Sequence, residues 1–205
     1  MSGPFSNFTS GSIEPSVLTH RFESAWQSLA SNRWIPLVIL AVGTASNLRY
    51  AHTPLVAFAV TSGVMLKRRQ AITISLLLWL VNQTIGFSLR GYPFSTTALT
   101  WGVLMGVGTL MAVGFSSWRP AFARTSLAGH VLWLVIALLA GFFLYQGLIL
   151  VAYPLLADGH SMGRDIITKL FIKQAIWTGF LSFGHSLLLW IRLKPSSTIP
   201  SDPNN

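Results

Sequence analysis

The chain has 205 residues, of which 52% are hydrophobic and 9% charged, where a soluble domain carries roughly 25% charged residues. A water-facing surface cannot be built from that composition, which excludes a soluble enzyme and predicts an all-α, polytopic membrane protein solvated mainly by the lipid bilayer. The net charge of +9 comes from 14 Lys and Arg against 5 Asp and Glu; the basic residues fall mainly between apolar runs, a mark of topology and not of nucleic-acid binding. With 0 Cys there is no disulfide, thiolate metal site or Cys nucleophile.

Residues 1–12 are rich in Ser, Gly and Asn and lack the basic-then-apolar order of a secretory signal, so they read as a flexible tail. Over 16–32, Leu18, Phe22, Trp26 and Leu29 recur at three- to four-residue spacing, with His20, Arg21, Glu23 and Gln27 turned elsewhere. This predicts a short amphipathic helix in the membrane interface and closes a first region, 1–33.

Six apolar segments follow, about 34–46, 53–66, 71–89, 96–118, 126–156 and 166–191. They predict six transmembrane helices in a domain spanning 34–192. The first two are short against the roughly 20 residues that cross a bilayer, and a polar link runs from Asn47 to Pro54 between them. They read as short or tilted helices, or as one irregular hairpin. The tail, 193–205, holds Pro195, Pro200, Pro203 and several Ser, and is disordered by composition.

Basic residues divide unevenly between the two sides of such a bundle. Arg21, Arg33, Lys67, Arg68, Arg69, Arg119, Arg124, Arg192 and Lys194 fall on one side, and Arg49, Arg90 and Arg164 on the other. The positive-inside rule then predicts both termini in the cytoplasm of a multi-pass protein of the cell (inner) membrane.

Polar side chains within lipid are costly, so their positions are informative. Asn82 and Gln83 lie near the centre of the third segment, about 16 Å in at 1.5 Å per residue. Adjacent helical residues point about 100° apart, so the two amides cannot both serve one helix contact: one reading is an interhelical bond, the other contact with a solute. Trp79 precedes them by one turn. Lys169 and Lys173 share a face near the start of the sixth segment, where the positive end of the helix dipole disfavours cations. They either snorkel to water, pair with Asp165, or offset a negatively charged solute. The outward loops hold Arg49, Tyr50 and His52, then Arg90 and Tyr92, then Asp158, His160 and Arg164. Small residues mark close helix packing: Ala41 and Ala45 form an AxxxA, and Gly102 and Gly106 a GxxxG.

No Walker-type phosphate loop, His-Glu-x-x-His or Ser-His-Asp arrangement is evident, and no carboxylate lies inside a predicted span. These absences argue against an enzyme and against a pump built on a buried Asp or Glu, and no cofactor is predicted.

A chain of this length with six crossings, both termini inside, Ala41 and Ala45 on the first segment and polar groups at the outer mouth resembles the substrate-binding S components of energy-coupling-factor (ECF) vitamin transporters. The likeness covers 34–191 and is one of architecture. It implies capture of a vitamin or cofactor precursor at the outer face, cobalamin being among the family's substrates. It also implies that Ala41 and Ala45 face a transmembrane coupling subunit, with transport driven by separate ATPase subunits or by a slower solitary route.

The expected site therefore has Asn82 and Gln83 bonding the solute, Lys169, Lys173 and Arg90 offsetting its negative groups, and Tyr92, Trp79 and His52 beside it. Two other readings stay open. One is a non-catalytic assembly or scaffold subunit that binds other membrane proteins through its small-residue faces. The other is a b-type haem protein in which His130 and His185, roughly 6 and 9 Å inside neighbouring helices, ligate one iron.

Overall fold

Apolar segments in lipid must satisfy their backbone internally, which a helix does within one segment. The computed structural model describes residues 15–50, 53–156 and 163–194, with side chains from Thr19 onward. These form seven α-helices: α1 Pro15–Ala30, α2 Trp34–Arg49, α3 Leu55–Met65, α4 Arg68–Ser88, α5 Thr96–Ser116, α6 Leu127–Leu156 and α7 Arg164–Leu193. A single 3-10 turn, Ala121–Arg124, lies between α5 and α6, and no strand occurs among the described residues.

Polar punctuation sets the boundaries. Asn32 Oδ1 accepts from the Trp34 amide at 2.9 Å before α2, Ser95 Oγ accepts from Ala98 at 3.2 Å to cap α5, and Ser126 Oγ accepts from Gly129 at 3.1 Å at the start of α6. Gly91, at φ 67, makes the turn after α4 in a conformation that other residues rarely adopt.

Three helices, α4, α5 and α6, are long and apolar enough to cross a membrane; α2 and α3 are shorter apolar helices. The exterior fits lipid as solvent: Val103, Leu132, Phe143, Val151, Ile176, Phe180 and Phe183 are exposed on three different helices. Of the expectations for the first two segments, separate helices are what form, joined by a link around Tyr50 to Pro54.

The unusual element is α3. All 11 of its residues are buried, and it packs against α4, α5, α6 and α7. At about 1.5 Å per residue it is some 16 Å long, against roughly 45 Å for the 30 residues of α6. A central helix that short fills only part of the bundle's height, and a space remains at its N-terminal end.

At its C-terminal end the bundle is closed by α1. Phe22, Ala25, Trp26, Leu29 and Ala30 are buried there in a cluster with Leu189 of α7. Trp26 Nε1 donates to the Val64 carbonyl at 3.1 Å, Arg21 to Leu193 O at 3.1 Å, and Arg192 to Ser28 Oγ at 2.9 Å. Arg119, buried in the link before the 3-10 turn, meets Glu23 of α1 at 3.3 Å and lies 3.5 Å over the Trp26 ring. Burial pulls the Arg119 pKa below its ordinary value, and the Glu23 charge opposes that shift. The apolar stripe read from the sequence is thus real, but Phe22, Trp26 and Leu29 turn to the protein and not to the lipid interface. Leu18 and the tails lie outside the residues whose side chains are described.

Candidate functional site

The space above α3 is a cavity of about 420 Å3. Its lining comes from the α2–α3 link, the second half of α4, the first half of α5, the second half of α6 and the first turns of α7. All of these lie at the end of the bundle away from α1.

The floor is the N-terminus of α3, with Leu55 in the lining. The first amides of a helix have no intrahelical acceptor. Gln174 of α7 supplies one, its Oε1 accepting from Ala57 N at 2.8 Å, which leaves its NH2 group for the cavity that it lines. On α4, Asn82 is buried and in the lining. Thr53 Oγ1 donates to Asn47 Oδ1 at 2.5 Å and also reaches Asn82 Oδ1 at 3.1 Å. One hydroxyl proton serves one acceptor at a time, so Asn82 keeps hydrogen-bonding capacity for a solute. Gln146 of α6 adds a third amide.

Aromatic surface comes from five rings, Phe142 among them. Trp101 of α5 and Tyr153 of α6 lie 6.0 Å apart, Tyr145 stands one residue before Gln146, and Tyr92 folds back over α4. Gly86 permits that fold: a Cβ there would stand 2.9 Å from the Tyr92 ring, and the Tyr92 amide donates to Gly86 O at 3.1 Å. Among the described residues Arg90 is the one charged side chain in the lining. It donates to the carbonyls of Asn47 and Tyr50 at the C-terminal end of α2, where a cation also meets the negative end of the helix dipole.

The expected site residues therefore separate. Asn82, Arg90 and Tyr92 come together in the cavity wall. Gln83 and Trp79 do not: Trp79 Nε1 donates to Gly102 O at 2.8 Å, and Gln83 Oε1 would stand 2.6 Å from a Cβ at Gly102. Those two side chains, with Gly102 and Gly106, build the α4–α5 contact. The 100° between neighbouring residues sends Asn82 to the cavity and Gln83 to α5.

The same rotation governs α7. Ile166, Leu170 and Gln174, spaced four apart, face the cavity. Lys169 and Lys173 fall on an adjacent face: Lys169 is exposed, and Lys173 Nζ lies 5.2 Å over the Tyr50 ring. His52, Asp158 and His160 lie outside the described residues. Ala41 and Ala45 are exposed on α2, beside exposed Leu37, Val38 and Leu48.

His130 and His185 are buried, at 2% and 4% exposure, and stack on one another with ring centroids 5.4 Å apart. Phe22 of α1 packs on His130 at 6.0 Å. The pair lies at the α1 end, far from the cavity, and a macrocycle between the two rings would require them to part. Among the described residues no three metal-ligating side chains converge.

Sequence reasoning missed Thr53, Trp101, Tyr145, Gln146, Tyr153 and Gln174. Two of these had a usable signal: Gln146 is an amide inside the most apolar run of the chain, and Gln174 sits one turn beyond Leu170 and one turn before Thr178 on a single face of its helix. Comparison with protein-family models, with curated proteins and with solved structures gives no match.

Proposed function

We propose that the chain is a six-span protein of the cell (inner) membrane, termini in the cytoplasm, that binds a small solute at its outer face for uptake. The solute class is a vitamin or cofactor precursor. The observation that carries this reading is the cavity itself, an apolar and aromatic chamber with three convergent amides and Arg90, placed opposite the end that holds the nine topology-setting basic residues.

The lining favours a planar, largely uncharged compound. Stacking surface comes from Trp101, Tyr145, Tyr153 and Tyr92, and donors and acceptors come from Asn82, Gln146 and Gln174. Arg90 leaves room for one anionic substituent, whereas Lys169 and Lys173 lie off the cavity. A volume of about 420 Å3 suits a compound well below the size of cobalamin. Binding, orientation and release are the work assigned to these residues; none is given a chemical step.

Exposed Ala41 and Ala45 offer a flat face for a transmembrane coupling subunit. That face equally favours the alternative of a non-catalytic assembly subunit, which leaves the cavity unexplained. Accumulation of radiolabelled vitamins by cells expressing the chain separates the two. The uptake reading expects accumulation that Asn82→Leu and Trp101→Ala abolish. A stable membrane complex recovered with no accumulation of any compound, and unaffected by those substitutions, decides for the assembly subunit.

A further inference from the structure

The buried face of α7 is polar along most of its length. Gln174, Thr178, Ser182 and His185 follow at spacings of four, four and three, which places them on one side of the helix, and all four are buried. The opposite faces, with Ile172, Ile176, Phe180 and Phe183, are apolar and exposed. The polar stripe begins in the cavity wall at Gln174 and ends about 16 Å lower at His185, by the 1.5 Å rise per residue.

At that point His185 stacks on His130 of α6. Beyond the pair lie Arg119, within electrostatic reach of both imidazoles, and half-buried Glu23, which is bonded to Arg119 and opens to the α1 end. Arg124 is the further charge on that side. α3, which packs against α7 and bonds Gln174 through the Ala57 amide, carries no titratable side chain.

Packing accounts for part of this arrangement: the two imidazoles stack, Phe22 lies on His130, and Ser182 Oγ donates to the Thr178 carbonyl at 2.5 Å. Thr178 Oγ1, both ring nitrogens of His185 and Nδ1 of His130 are buried without a hydrogen-bond partner. Orphaned groups of this kind are rare, and apolar residues of the same size would pack as well without leaving polar atoms unpaired. Nine buried side-chain atoms lack a partner among the described residues, and four of them, on Thr178, His185 and His130, fall between the cavity and the α1 end. Neighbouring side chains at these spacings stand about 5–6 Å apart, a gap that one water bridges.

We propose that this stripe is a proton-conducting track from the cavity to the α1 end, with His185 and His130 as the groups that take up and release the proton. A proton from cavity water passes along the hydroxyls of Thr178 and Ser182 to a ring nitrogen of His185. A proton on the other ring nitrogen of His185 passes through a bridging water to Nδ1 of His130, and one leaves the other nitrogen of His130 to water beside Glu23; turning of the rings between passages restores the starting state. Only N–H and O–H bonds are made and broken, one charge moves per proton, and the proton gradient is the driving force. Such a track goes beyond solute binding and does not depend on it.

The test uses the full chain in liposomes that contain a pH-sensitive dye, with a potassium gradient and valinomycin imposing an inside-negative potential. The interior is expected to acidify faster than in protein-free liposomes, and Thr178→Val, Ser182→Ala and His185→Leu are expected to return the rate to the protein-free level. Phe180→Ala, on the lipid side, is expected to leave it unchanged. Elution position and melting temperature show that each variant is folded; the first two remove one hydroxyl apiece and keep the test available if His185→Leu does not fold. Wild-type flux equal to that of protein-free liposomes, or folded Thr178→Val and Ser182→Ala proteins that conduct like wild type, overturns the proposal. Solute-induced melting shifts are a separate readout, so failure here leaves the binding reading intact.

Discussion

Replacing Gln174 with Met removes the acceptor that holds the start of α3 and changes side-chain volume little. Gln174 Oε1 accepts from Ala57 N at 2.8 Å, and Ala57 is wholly buried, so water cannot take the place of the lost carbonyl. An unpaired backbone N–H in such a setting costs about 1–3 kcal/mol. For a chain of this size that corresponds to an apparent melting temperature lower by about 2–12 °C, measured on purified protein in one detergent. Gln83→Met is the matched control. The Gln83 Nε2 atom is buried with no partner, so its removal is expected to leave stability unchanged or slightly raised. If Gln174→Met melts with wild type, or if Gln83→Met is the more damaging of the two, then Gln174 does not anchor α3 and the account of the cavity floor is wrong.

Gly106→Ala sets a Cβ 2.8 Å from the Trp79 ring, and overpacking of this kind is expected to lower stability by about 1–3 kcal/mol, read by chemical or thermal denaturation. Asn82→Leu removes a cavity amide, and its solute affinity is expected to fall by about 5- to 150-fold, the equivalent of 1–3 kcal/mol, in equilibrium dialysis. Lys169→Ala touches an exposed side chain off the cavity and is expected to change neither stability by more than about 0.5 kcal/mol nor solute affinity. Glu23→Ala leaves Arg119 buried without its carboxylate; since Glu23 is 27% exposed, the cost is discounted from a fully buried pair to about 1–3 kcal/mol. It appears as faster proteolysis between α1 and α2.

Hydropathy made the helical architecture legible because an apolar run withdrawn from water must close its own backbone hydrogen bonds. The six segments accordingly match α2 to α7 within a few residues, and the stripe of Phe22, Trp26 and Leu29 marks the face that α1 buries. What that face buries against was not legible, since lipid and the ends of α3 and α7 are equally apolar partners. The site was readable in part. An amide inside a span is informative, which found Asn82, but a linear sequence does not fix helix rotation. One residue separates Asn82 from Gln83 and Leu170 from Lys169, and that step decides between cavity and outside. The aromatic wall was hidden for another reason: Trp101, Tyr145 and Tyr153 are ordinary residues for such helices, and only the shortness of α3 turns them toward a common space.

The central claim, that the space above α3 is a solute site, is tested most directly by a melting-temperature screen of the purified chain across vitamins and their heteroaromatic precursors. Ligand at 100 times its Kd stabilises the folded protein by about 2.7 kcal/mol. The account predicts that at least one planar compound raises the melting temperature, and that Asn82→Leu and Trp101→Ala each abolish the shift while Lys169→Ala retains it. No shift with any compound, or a shift that survives both cavity substitutions, contradicts it.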